Sequence, residues 1–202
     1  PAPAVRSAGS AARRRAMSFT YWLPTAITLV RLLLVPVAVY LILQSAFAAA
    51  FWVVVAAGIS DALDGALAKR FPPVAPIGAY LDPLADKALL VATTMALGTI
   101  GALPMWLVIL IVSRDVLIVG GALLYNALTN GLSMAPLKIS KANTAAQVLL
   151  VGVVLAELGL GLGAPAISRA LVIVVAGTTL ASGAAYVWTW GRYALEWEEQ
   201  GK

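Results

Sequence analysis

The chain has no cysteine and no histidine among its 202 residues. Without cysteine there is no thiolate nucleophile and no sulfur metal ligand, and the redox compartment leaves no trace. Without histidine the commonest general base and the usual zinc ligand are missing. Acid–base work therefore falls to carboxylate, Lys, Tyr or water. Charge is scarce as well: 11% of residues are Asp, Glu, Lys or Arg, against about 25% in an ordinary soluble domain. Apolar residues make up 61%. This balance excludes a soluble enzyme and describes one integral membrane domain. The net charge of +5 falls mostly between apolar runs, which argues against nucleic acid and for anionic lipid.

What is there is a series of apolar runs, each near the ~20 residues that a helix needs to cross a bilayer. They cover Leu23–Gln44, Ala46–Ala68, Ile77–Thr99, Pro104–Leu128, Asn143–Gly161 and Ala166–Trp190. The expected fold is an all-α integral membrane protein with six transmembrane helices, preceded by a basic tail over 1–19 and followed by a short tail over 194–202. Arg13, Arg14 and Arg15 in the first tail suit lipid headgroups; the segment also has the composition of a transit-like leader. Lys69, Arg70, Lys138 and Lys141 fall in the second and fourth connections, whereas the first and third carry no charge. By the positive-inside rule both termini lie on the cytoplasmic side. Trp22, Trp106, Trp188 and Trp190 sit near span ends as interfacial anchors. Gly120, Gly121, Gly177 and Gly183 permit close helix packing.

The acids are concentrated. Of five aspartates in the chain, Asp61, Asp64, Asp82 and Asp86 fall between residues 60 and 87. One aspartate at the centre of a spanning helix costs roughly 2.5–3.5 kcal/mol on insertion scales, so four together need cations or water. Oxygen ligands without nitrogen or sulfur suit hard divalent ions, magnesium or manganese. Asp61 and Asp64 are three apart and Asp82 and Asp86 four apart, so on helices each pair shares a face. Pro72, Pro73 and Pro76 lie between the pairs and allow a hairpin in which the carboxylates converge. Gly65 and Gly78 let another backbone or a phosphate approach closely. Four charges balance two divalent ions, the number that two-metal sites use to stabilise attacking and leaving oxygens. Interfacial salt bridges or helix caps are the plainer alternative, but they do not require this spacing. A cation-transport site would place its acids nearer mid-span.

This spacing resembles the signature of the CDP-alcohol phosphotransferase family, D-x-x-D-G-x-x-A-R, eight residues, then G-x-x-x-D-x-x-x-D. Here it reads Asp61, Asp64, Gly65, Ala68, Lys69, Gly78, Asp82, Asp86. The one departure is Lys69 in place of Arg; a lysine is a point charge without the two-pronged phosphate grip. Chance odds for the other seven lie below about one in ten million per start position at ordinary residue usage. Pro24, Thr25, Thr28 and Arg31 resemble the family's first-span P-N-x-x-T-x-x-R, with Thr25 replacing Asn. The resemblance implies a CDP-linked lipid donor, an alcohol acceptor and two Mg²⁺ or Mn²⁺ ions. It implies metal binding by Asp61, Asp64 and Asp82, and by the catalytic residue Asp86 either metal binding or action as the base. It implies a CDP site lined by Thr28, Arg31, Asp64, Gly65, Ala68, Lys69 and Gly78.

Three further stretches, 113–125, 138–151 and 178–193, resemble the eukaryotic-type cardiolipin synthases of this family. That implies CDP-diacylglycerol and phosphatidylglycerol as substrates. Cardiolipin synthases of the phospholipase-D type need catalytic histidines, and this chain has none. The rival within the family is phosphatidylglycerophosphate synthesis from glycerol 3-phosphate. Arg114, Lys138, Lys141 and Arg192 suit an acceptor phosphate in either case; Arg114 and Asp115 also read as a structural pair within a span. A non-catalytic scaffold is the reading of another class, and the complete aspartate quartet opposes it. A homodimer in a bacterial cytoplasmic or mitochondrial inner membrane completes the expectation.

Overall fold

Apolar sequence that faces lipid must satisfy its backbone hydrogen bonds internally, and within one segment only the helix does so. The computed structural model describes the backbone over 29–68, 78–129, 138–163 and 165–200, and side chains over 29–60, 87–121, 139–163, 165–189 and 192. Among the described residues every regular element is helical. In chain order they are α1 Leu29–Leu43, α2 Phe47–Ala68, α3 Gly78–Thr99, α4 Met105–Thr129, α5 Lys138–Leu160 and α6 Pro165–Gln200.

Within the described residues two stretches are long and apolar enough to cross a membrane, Ile139–Leu160 and Pro165–Thr189. Shorter apolar stretches lie at Leu29–Leu43, Phe47–Ser60 and Lys87–Thr99. The surface is apolar on every helix: Leu33, Trp52, Met95, Ile109, Leu149, Ile173 and Trp188 are all exposed, the last two at 72% and 73%. So much exposed apolar area marks a membrane-associated protein.

Helix α5 is the hub and packs against α2, α3 and α6, while α4 packs against α3 and α6. Its buried stripe runs Asn143, Ala146, Gln147, Leu150, Val151, Val154 and Leu155. The apolar part of that stripe meets Ile42, Ala50, Leu97, Leu107, Ile111 and Val175 in the main core. At the other end of α5, a Cβ on Gly159 would come within 2.6 Å of the Phe47 carbonyl carbon. Only glycine lets α2 and α5 cross so closely there. Gly120 and Gly177, by contrast, have no neighbour within 4 Å of such a Cβ.

Helices α1 and α3 end in the left-handed C-terminal turn that satisfies orphan carbonyls. At α1, Ser45 has φ 58° and Ala46 N donates to Leu41 O at 2.9 Å. At α3, Gly101 has φ 76° and Ala102 N donates to Leu97 O at 2.9 Å. Helix bounds differ from the apolar runs in two places. Helix α5 begins at Lys138, five residues before the run at Asn143, and α6 continues to Gln200 past Trp190. Arg, Ala, Leu, Glu and Gln in the last stretch are strong helix formers, so the helix outlasts its apolar content.

Candidate active site

Helices α1 and α2 are joined by a tight turn and pack in antiparallel register: Ile42 and Ala50 share the main core, and Ala38 and Ala57 share a smaller cluster. Leu89 of α3 joins that smaller cluster. Seven residues, two helical turns, separate Ala38 from Arg31, Ala57 from Asp64, and Leu89 from Asp82. All three steps run toward the end where α2 finishes and α3 begins. Arg31, Asp64 and Asp82 therefore occupy one level of the bundle, with Asp61 and Asp86 one turn nearer the cluster. Arg31 is buried, at 2% exposure. Gly65 and Ala68 close the last turns of α2 and Gly78 opens α3. The side chains of the four signature aspartates lie outside the described residues, as do Thr28 and Lys69 entirely.

Beside that level sits a polar knot centred on Arg114 of α4, which is 5% exposed. Its Nε donates to Ser182 Oγ at 3.2 Å, its Nη1 to Asp115 Oδ1 at 2.7 Å and its Nη2 to Ser140 Oγ at 2.6 Å. Nη2 also meets Ser182 Oγ. The guanidinium carbon lies 5.9 Å from the Tyr186 ring centroid, within cation–π range. Asp115 in turn faces Lys87 Nζ at 3.9 Å, and Lys87 follows Asp86 in the chain. The knot thus ties α4, α5 and α6 to the aspartate-bearing start of α3. Arg114 spends most of its donors inside the protein, so an acceptor phosphate would have to share them. Lys141 and Arg192, the other described cations of the expected acceptor set, are exposed. Lys138 opens α5, and its side chain is outside the described residues.

One turn deeper, Asn143 is fully buried. Its Oδ1 accepts from Thr178 Oγ1 at 2.8 Å and from Thr179 Oγ1 at 2.9 Å. Asn143 Nδ2 and Gln147 Nε2 have no hydrogen-bond partner among the described residues. Sequence reasoning did not single out Ser140, Asn143, Gln147, Thr179 or Ser182. Their signal was present as polar residues at three- and four-residue spacing within apolar runs, Ser140–Asn143–Gln147 on α5 and Thr179–Ser182 on α6.

A helical, membrane-associated bundle whose buried polar groups gather at an aspartate-bearing end defines the class. The chain belongs to the CDP-alcohol phosphatidyltransferase family, whose model matches residues 21–188. It is 35% identical over 181 residues to a Schizosaccharomyces pombe cardiolipin synthase (CMP-forming)/mitochondrial hydrolase fusion protein, covering 82% of this chain and 30% of that protein. It is 35% identical over 159 residues to a probable cardiolipin synthase (CMP-forming) of Drosophila melanogaster, covering 71% and 47%. It is 34% identical over 182 residues to a chloroplastic CDP-diacylglycerol–glycerol-3-phosphate 3-phosphatidyltransferase of rice, covering 81% and 55%. The chain thus spans from under a third to just over half the length of these relatives.

Proposed function

We propose that this chain works in phospholipid biosynthesis, transferring the phosphatidyl group of CDP-diacylglycerol to phosphatidylglycerol, with cardiolipin and CMP as products. The observation that carries this is the signature quartet at one end of adjoining helices, in a family member resembling proteins named cardiolipin synthase (CMP-forming). The acceptor hydroxyl oxygen attacks the lipid-side phosphorus, the bond from that phosphorus to CMP breaks, and the hydroxyl proton passes to the Asp86 carboxylate. A carboxylate is a weak base, so alignment of the hydroxyl matters more than basicity.

The donor set fits a divalent ion: four carboxylates and neither histidine nor cysteine. Asp61, Asp64, Asp82 and Asp86 would hold two Mg²⁺ or Mn²⁺ ions, which supply charge neutralisation at the pyrophosphate. Thr28, Arg31, Asp64, Gly65, Ala68, Lys69 and Gly78 line the nucleotide side. Lys138, Lys141 and Arg192, with a share of Arg114, face the acceptor phosphate. Six crossings with both termini and the aspartates on the cytoplasmic face fit the loop charges, in a bacterial cytoplasmic or mitochondrial inner membrane.

A second reading, phosphatidylglycerophosphate synthesis, is supported by the likeness to the rice protein. A lipid acceptor reaches the site along the bilayer, carries one negative charge and is anchored by its chains, so it needs fewer cations than a soluble dianion. The test is competition between phosphatidylglycerol and glycerol 3-phosphate in vesicles with labelled CDP-diacylglycerol, with and without chelator. Cardiolipin is the expected product, lost on chelation. Phosphatidylglycerophosphate as the dominant product, with phosphatidylglycerol inert, would select the second reading.

A further inference from the structure

Asn143 and Gln147 are 0% and 2% exposed, and each carries an amide nitrogen with no hydrogen-bond partner among the described residues. Such groups are rare in folded proteins and call for a physical reason. Four residues apart on α5, they lie one above the other on the stripe that faces the core, about 6 Å apart along the axis. Side chains on a helix lean toward its N-terminus. The N-terminal end of α5 is the aspartate end: Ser140 bonds Arg114 there, while Gly159 meets the start of α2 at the opposite end. Both side chains therefore lean toward the aspartate end of the bundle, the Asn143 amide turning to Thr178 and Thr179 of α6 as it does so.

Among the described residues no charged group is bonded to either amide: the partners of Asn143 are the hydroxyls of Thr178 and Thr179. A neutral pair of amides suits a neutral ligand. An amide donates through nitrogen and accepts through oxygen, and a hydroxyl does both with one atom. Turning the Asn143 amide over would exchange its free Nδ2 for a free Oδ1. A hydroxyl still matches the site in either orientation, whereas a pure acceptor such as an ester carbonyl matches only one. We infer that Asn143 and Gln147 form a subsite for an uncharged hydroxyl, the second alcohol of a glycerol-bearing acceptor whose first alcohol reacts at Asp86. This rests on the acceptor reading above and adds to it a determinant of alcohol specificity. A resident water is the other source of the same chemistry, and the experiment separates the two.

The full-length protein in vesicles is given phosphatidylglycerol or its analogue phosphatidyl-1,3-propanediol, which keeps the reactive terminal hydroxyl and lacks the second one. Sites built to bond a substrate hydroxyl reject the analogue without it. The expected result is a kcat/KM preference of at least about ten-fold for phosphatidylglycerol in the parent chain. In Gln147→Leu the preference collapses to within about two-fold, mostly through KM. Gln147→Met, an unbranched apolar replacement, should behave alike, and thermal unfolding in detergent shows that both variants fold. Equal slowing on both acceptors with a lowered unfolding temperature would mean a structural water and overturn the inference. So would a parent chain indifferent to the second hydroxyl. If the parent chain uses glycerol 3-phosphate and ignores phosphatidylglycerol, the acceptor reading fails separately. The same ratio measured against 3-hydroxypropyl phosphate then decides the subsite.

Discussion

Asp86 and Asp115 show how differently two aspartates can be placed in one membrane bundle. Asp115 is held by Arg114 at 2.7 Å and faces Lys87 at 3.9 Å, so its charge is compensated within the protein. Asp86 belongs to the signature and is assigned to the reacting hydroxyl. Asp86→Asn is therefore expected to leave a folded protein whose CMP release falls on the order of 10²- to 10⁴-fold, the usual contribution of a general base. Asp115→Asn should fall far less; near-normal CMP release from Asp86→Asn would reject the assignment. Arg114 gives the opposite kind of prediction. Removing Arg114 leaves Asp115 with the longer Lys87 contact, a loss near the lower end, about 3 kcal/mol, of what breaking a buried pair costs. Arg114→Ala should thus lower the unfolding temperature in detergent by roughly 6 °C or more, with serine ligands on α5 and α6 left unmatched. An unchanged midpoint would show that the knot holds nothing together. The quartet was legible in the sequence because acids are so few. The knot was not, because Ser140 and Ser182 lie 26 and 68 residues from Arg114 and no local pattern links them.

At the level of elements, the apolar runs announced the helices by hydropathy alone. The inner faces were another matter. Periodicity reveals a buried face when the opposite face is polar, and here the outer face is apolar too, as exposed Leu149, Ile173 and Leu180 show. With little contrast between the two sides, the interior stripe of α5 did not stand out. The same cause blurred the ends. Hydropathy marks where apolar sequence stops, and α6 remains helical for ten residues beyond Trp190, to Gln200. The close crossing of α2 and α5 rests on a residue that hydropathy does not weigh. A Cβ at Gly159 would lie 2.7 Å from Ala48 Cα as well as 2.6 Å from the Phe47 carbonyl carbon, and both neighbours are backbone that cannot swing aside. Gly159→Ala must push α2 and α5 apart and strip contacts from the core they share. Overpacking of this kind costs about 1–3 kcal/mol, read as a lowered unfolding midpoint. Gly152→Ala, with nothing within 4 Å of its Cβ, serves as the control and should be neutral or slightly stabilising, since alanine favours a helix.

Across the whole molecule, most buried polar groups of the described residues gather toward one end of the bundle axis, a buried Glu157 Oε1 near the other end excepted. Arg31, Arg114, Ser140, Asn143 and Ser182 lie toward the end where α2 meets α3, while Ile42, Ala50, Leu97, Leu103 and Leu107 fill the other end. Chemistry on a charged pyrophosphate fits the first end and lipid contact the second. Which end meets the cytoplasm follows from connections rather than from packing. Lys69 and Arg70 follow α2 in the sequence and Lys138 and Lys141 lie in the first turn of α5, whereas the turn around Gln44 and the segment around Gly163 are uncharged. The bias of lysine and arginine in short connections sets orientation. The polar end should therefore face the cytoplasm, the side on which the CMP of the proposed reaction would be released. The absence of cysteine makes this directly measurable, because a single introduced thiol is the only one a maleimide can find. Gln44→Cys and Gly163→Cys are expected to react with a membrane-impermeant maleimide added outside intact cells or right-side-out vesicles. Gln200→Cys, at the end of α6, should react only after the membrane is opened. Labelling of Gln200→Cys from outside, with Gln44→Cys protected, would invert the bundle and place the aspartate end on the wrong side for a cytoplasmic nucleotide.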